Sequence, residues 1–69
     1  MTANEALASY LNSLEPKERA YKTRDICKFC KKTKYVFYNW IHGRSRIDLA
    51  WRDKITQAIG ENIFKNVTD

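Results

Sequence analysis

The chain has 69 residues, enough for one domain and too few to wrap a catalytic cleft of any depth; a single hydrophobic core at this size is only marginally sufficient. Hydrophobic residues at 43% and charged residues at 30% fit a folded chain and argue against intrinsic disorder. The net charge is +5, and the longest uncharged apolar stretch, near residues 35–41, is far below the roughly 20 residues of a membrane span.

Thr2 and Glu5 form a T-x-x-E capping box, and Leu7, Tyr10, Leu11 and Leu14 follow at i, i+3, i+4 and i+7. This predicts an amphipathic helix over residues 3–14 that covers the back of the elements that follow. From Glu15 to Lys22 the pattern blurs and a connector is expected, in which Pro16 either stops the first helix or opens a short turn as its first residue. Lys17, Arg19 and Lys22 there could reach phosphates at the edge of a footprint; exposure to solvent explains them equally well.

The run from Thr23 to Gly43, TRDICKFCKKTKYVFYNWIHG, is the centre of the chain. Ile26, Cys27 and Cys30 lie on one face of a short helix, and Phe37, Trp40 and Ile41 on one face of a second. Thr23 and Thr33 precede the two sets, each with a hydroxyl able to accept from a first-turn amide. Two helices of about two turns each are expected, joined by Lys31, Lys32 and Thr33. With Phe37 and Trp40 inward, Lys34, Tyr35, Tyr38, Asn39 and His42 must face out, and these are side chains that bond phosphates, base edges or both. A helix built only for solubility would carry acids there, and this one has none.

Gly43 is placed to end the second helix in the left-handed conformation. Arg44, Ser45 and Arg46 form a loop of the kind that lies along a sugar-phosphate backbone, and Ile47 returns the chain to the core. Asp48 can cap a further helix with Trp51, Ile55, Ala58 and Ile59 inward and Gly60 as its stop. Ile63, Phe64 and Val67 form a last apolar cluster, which either closes the core or serves as a dimer seam.

Cys27 and Cys30 spell C-x-x-C, but His42 is the one other plausible zinc ligand and no strand precedes the pair, so they are read as compact core residues. No second histidine, paired carboxylates or phosphate-cradling glycine loop is present, and neither enzymatic activity, a cofactor, a metal nor a small-molecule substrate is expected. The start of the chain lacks a basic residue before Lys17 and a long apolar run, so a cytoplasmic location is expected and the Asn66-Val67-Thr68 triplet is not read as a glycosylation site.

Charge is unevenly spread. Residues 1–15 hold Glu5 and Glu15, for −2; residues 16–46 hold ten Lys or Arg against Glu18 and Asp25, for +8; residues 47–69 hold three against four, for −1. Positive charge gathered around the central run fits the electrostatic footprint of a polyanion partner; a merely solvated basic face is the other reading.

The central run resembles the helix-turn-helix of the Cro and C1 repressor family (XRE-like). Thr23 opens the first helix, Ile26, Cys27 and Cys30 follow, and Phe37 and Trp40 precede the closing Gly43. The segment RSRIDLAWRDKITQAIG continues the likeness, which covers roughly residues 21 to 64. It departs at Lys31, where the family usually has glycine, and at Lys32, where it has a small aliphatic residue. A lysine with positive φ is strained, which points to a different or longer turn.

The resemblance implies an all-α, lambda-repressor-like bundle of four to five short helices, one domain over residues 1–69 with the helix-turn-helix at about 23–43. It also implies a transcriptional repressor or regulator, of the kind found in phages and mobile elements, that binds double-stranded DNA. Helix 34–42 would enter the major groove, with Tyr35, Tyr38 and Asn39 reading bases and Thr33, Lys34, Arg44, Ser45 and Arg46 bonding phosphates. A homodimer on DNA is expected, since one small module offers few base contacts. Two other classes remain open: a protein-interaction module using an aromatic patch of Tyr35, Phe37, Tyr38 and Trp40, and an RNA-binding module.

Overall fold

A computed structural model describes all 69 residues and contains helices only: α1 (Ala3–Asn12), α2 (Pro16–Cys30), α3 (Lys34–Ile41) and α4 (Leu49–Ile59). α2 lies chiefly on α4, and α1 lies on α3. The packed unit measures 29 × 23 × 21 Å. No helix is long and apolar enough to cross a membrane.

The capping box forms in full. The Glu5 amide donates to Thr2 Oγ1 at 3.1 Å and the Thr2 amide donates to Glu5 Oε1 at 2.8 Å. α1 ends at Asn12, two residues before the expected end, and carbonyls at and beyond its last turn are taken up by side chains: Ser13 Oγ donates to the Tyr10 carbonyl, and Arg19 donates to those of Leu11 and Leu14. Arg19 is thus half-buried and committed to the end of α1, rather than free at the edge of a footprint.

The expected connector over residues 15–22 is instead the first half of α2. Pro16 is its opening residue, where the missing N–H costs nothing and the fixed φ is already helical. Its first turns are mostly exposed, so no apolar stripe announces them. Thr23 therefore sits inside a helix of 15 residues and caps nothing.

Lys31 is the residue that reverses the chain after α2, with φ 55. The Lys32 amide donates to the Cys27 carbonyl at 2.9 Å and the Lys31 amide to that of Lys28 at 3.3 Å, the paired bonds of a Schellman turn. The turn is neither longer nor of another type than a glycine would make; lysine adopts the left-handed conformation in glycine's place. Gly43 repeats the motif after α3, with φ 75 and an Arg44 amide donating to the Asn39 carbonyl at 2.8 Å.

The core combines Ala3, Ala6, Leu7 and Leu11 of α1, Ile26 and Cys30 of α2, Phe37 and Trp40 of α3, and Ile55 and Ile59 of α4, together with Ile47 and Phe64. Ile41, expected inward, is half-buried at its edge, as are Trp51 and Ala58. Ile63 and Val67 pack on the same core, so the last segment closes it. Asp48 stands at the start of α4, but its side chain bonds no amide of that helix and pairs with Arg46.

One charged residue is buried. Arg52 donates through Nε to the Ile47 carbonyl at 2.8 Å, and through its two terminal nitrogens to the Asp69 carbonyl and to Asp69 Oδ1. The same carboxylate oxygen accepts from the Ala3 amide at 3.0 Å, and the Thr68 amide donates to the Met1 carbonyl at 3.1 Å. Each bond of the Arg52 side chain ties α4 to Ile47 or to Asp69. A buried guanidinium is tolerated when its donors are matched in this way.

Two outcomes follow for stability. Lys31→Gly should raise the urea midpoint by the equivalent of about 0.5–1 kcal/mol, the left-handed strain relieved less the added freedom of glycine in the unfolded chain. The Thr2 amide and hydroxyl hold the Glu5 carboxyl below its ordinary value, so its contribution is present above the unfolded value and lost as pH falls through the lower folded one. An NMR pH titration should show that depression in the native chain, and Thr2→Ala should shift Glu5 back upward.

Candidate nucleic-acid interface

α3 begins where the Thr33 hydroxyl accepts from the Val36 amide at 3.3 Å. At about 100° per residue, Lys34, Tyr38, His42, Tyr35 and Asn39 fall in one arc and Val36, Trp40, Phe37 and Ile41 in the other. Burial follows that division: Phe37 is 1% and Trp40 3% exposed, whereas Tyr35 is 73% and Tyr38 49% exposed. Lys34 and His42 are exposed too, and Asn39 is half-buried at the shoulder between the arcs. Tyr38 and His42, one turn apart, have ring centroids 6.5 Å apart.

Trp40 is sealed by Trp51, with ring centroids 6.2 Å apart, and Lys32 carries its ammonium 4.5 Å from the Trp51 ring. A lysine where a small aliphatic residue was the family pattern is accommodated here by lying over an aromatic face. Of the four aromatic residues considered for a protein-binding patch, only Tyr35 and Tyr38 reach the surface.

Beyond α3, Arg44, Ser45 and Arg46 are all exposed. Arg46 pairs with Asp48 at 3.2 Å, both side chains more than half exposed, an arrangement worth little in water and readily exchanged for a phosphate. The Ser45 carbonyl and the Trp40 carbonyl each accept from Asn4 Nδ2, both at 2.7 Å. Asn4, on α1, thus holds the exit of α3 and the middle of the basic loop.

Sequence reasoning missed Asn4, although a signal was present. It lies at i, i+3 and i+7 with Leu7 and Leu11, a polar residue on an otherwise apolar stripe. The buried alanines Ala3 and Ala6 let α1 come close enough for that short side chain to reach.

Burial pushes both cysteine thiols up, Cys30 further raised by Cys27 and Cys27 partly relieved by Lys34, so neither is an activated thiolate near neutral pH. The two cysteines are free, Cys30 in the core and Cys27 at its edge. No three His, Cys, Asp or Glu side chains come together as metal ligands.

Tyr35, Tyr38 and Asn39, the residues expected to read bases, therefore lie on one side of α3, while Thr33 and Lys34 lie at its start and Arg44, Ser45 and Arg46 just past its end. Comparison with protein-family models, curated proteins and solved structures finds no match to this chain.

Asn4→Ala removes the donor of two carbonyls at once. It should cost about 1–3 kcal/mol, at roughly 1 kcal/mol for each lost bond, and hydrogen exchange of the amides at 43–46 should quicken more than that of the core. Uniform quickening would show that Asn4 has no special hold on the loop.

Proposed function

We propose that this chain binds double-stranded DNA sequence-specifically, as a small transcriptional regulator of the Cro/C1 type. In this reading α2 and α3 are a helix-turn-helix and α3 is the element that enters the major groove. The observation that carries the proposal is the division of α3, with Phe37 and Trp40 enclosed and Lys34, Tyr35, Tyr38 and His42 left in water. A helix about 10–12 Å across with its side chains suits a major groove about 12 Å wide.

Support comes also from the three-residue separation of the helices and from the surrounding charge. Only Lys31, Lys32 and Thr33 lie between α2 and α3. Exposed Lys34, Arg44 and Arg46 stand at both ends of α3, where they can meet phosphates on either side of the groove. The Thr33 hydroxyl accepts from Val36 and still has its own proton to donate.

Tyr35, Tyr38 and Asn39 are assigned to base edges. Asparagine offers an acceptor and a donor that match adenine, a pairing worth about 1–3 kcal/mol of discrimination. RNA is the weaker partner for this geometry, because the deep, narrow major groove of an A-form duplex does not admit a helix. Two copies on half-sites about 34–36 Å apart would supply the specificity that one copy lacks.

Sites selected from a random duplex pool provide the substrate for the test. Asn39→Ala should relax preference at one base position. Arg46→Ala should weaken all sequences alike and reduce the slope of log affinity against log salt by about one. Duplex binding that is absent even at low salt, or indifferent to both substitutions, would overturn the proposal.

A further inference from the structure

An open trough of about 720 Å³ runs between the end of α1, the first half of α2 and α3. Its floor is apolar, made by Leu11, Phe37 and Ile41 with Ala20 on the wall, while Arg24, Lys34 and His42 stand along its rim. No Asp or Glu lines it.

The rim cations are unpaired within the chain. The two ion pairs join Arg46 to Asp48 and Arg52 to Asp69, which leaves Arg24 and Lys34 without a carboxylate. The Arg24 guanidinium lies 5.3 Å from the Tyr21 ring centroid, an aromatic contact that holds the charge near the rim.

The shape discriminates between occupants. A small molecule needs most of its surface enclosed, yet Ala20, Tyr21, Arg24, Lys34, Tyr38 and His42 are all exposed, so the walls are low. A nucleic-acid strand laid there would set phosphates over Leu11 and Ile41, whose side chains have nothing to donate. An amphipathic helix satisfies both parts, its apolar stripe on the floor and its carboxylates against the rim.

We propose that the trough is the docking site for an acidic amphipathic helix of a partner protein, with the stripe on Ile41, Ala20 and the rings of Tyr21 and Tyr38, above the buried Leu11 and Phe37, and the acids against Arg24 and Lys34. The positive charge of residues 16–46 speeds the approach of such a partner. Lys34, Tyr38 and His42 belong both to the trough and to the exposed side of α3, so a bound helix and a DNA duplex exclude each other; this second statement rests on the DNA-binding reading.

The probe is a fluorescein-labelled synthetic peptide of about 15 residues, long enough to be partly helical, with leucine at i, i+3, i+4 and i+7 and glutamate between. Titrated without DNA into the ¹⁵N-labelled chain, it should move the amide signals of Leu11, Ala20 and Ile41. The matching peptide with lysine for glutamate should not bind. Ala20→Glu puts a carboxylate on an exposed wall and should weaken the acidic peptide at least about tenfold, with duplex affinity changed less than about twofold at physiological salt. Arg24→Glu should weaken the peptide similarly, so the result does not hang on one variant.

No binding of the acidic peptide, binding unaffected by both substitutions, or signals that move on another face overturns the docking site. Ala20→Glu that spares the peptide and abolishes duplex binding instead makes the trough part of a nucleic-acid surface. Peptide and duplex bound together overturns the exclusion. A chain that binds the peptide and no duplex keeps the docking site and removes the DNA reading.

Discussion

Burial of Phe37 and Trp40 fixes the rotation of α3 about its own axis, and the other features of this surface follow from that one constraint. Two aromatic side chains are large enough that exposing them would cost several kcal/mol, so the helix has one stable roll. That roll leaves Tyr35 and Tyr38 in solvent. The enclosure is built by α1, which lies on α3, and by Trp51 beside Trp40, with Lys32 in turn over the Trp51 ring. A helix of eight residues would not hold its shape alone in water, and its order is lent by this packing.

Much of the fold could be read from spacing, where side chains report on a buried face. The capping box, the inward pair on α3, Gly43 and the return of Ile47 to the core all appear where periodicity and residue type put them. What could not be read was the half of α2 that buries little. Residues 16–22 lack a stripe, and a proline at the start of a helix looks locally like a proline that ends one. Lys31 hid its turn for a related reason, because its left-handed backbone is fixed by amides of Lys31 and Lys32 reaching back to α2, and main-chain bonds leave no trace in residue type.

The surface was legible to a similar depth. Tyr35, Tyr38 and the basic loop are exposed as their positions on the helix and after Gly43 require. The supports beneath them were not visible. Asn4 is 36 residues from Trp40 and 41 from Ser45, and Arg52 works through the carbonyl of Ile47 and the far end of the chain. Such polar contacts depend on tertiary approach, which local pattern does not encode. Arg19 shows the converse: its type suggested a free charge, and its position beside the end of α1 made it a cap.

The clasp between the two ends has a consequence for how this chain comes apart. Ala3 and Asp69 are 66 residues apart in sequence and share a hydrogen bond, with Thr68 bonded to Met1 beside it. Segments outside the helices usually open first and independently. Here releasing residues 68–69 strips partners from Met1, Ala3 and buried Arg52, so the two segments loosen together. Loss of the Asp69 carboxylate would be felt at the head of α1, and through Asn4 at the exit of α3, far from it in sequence.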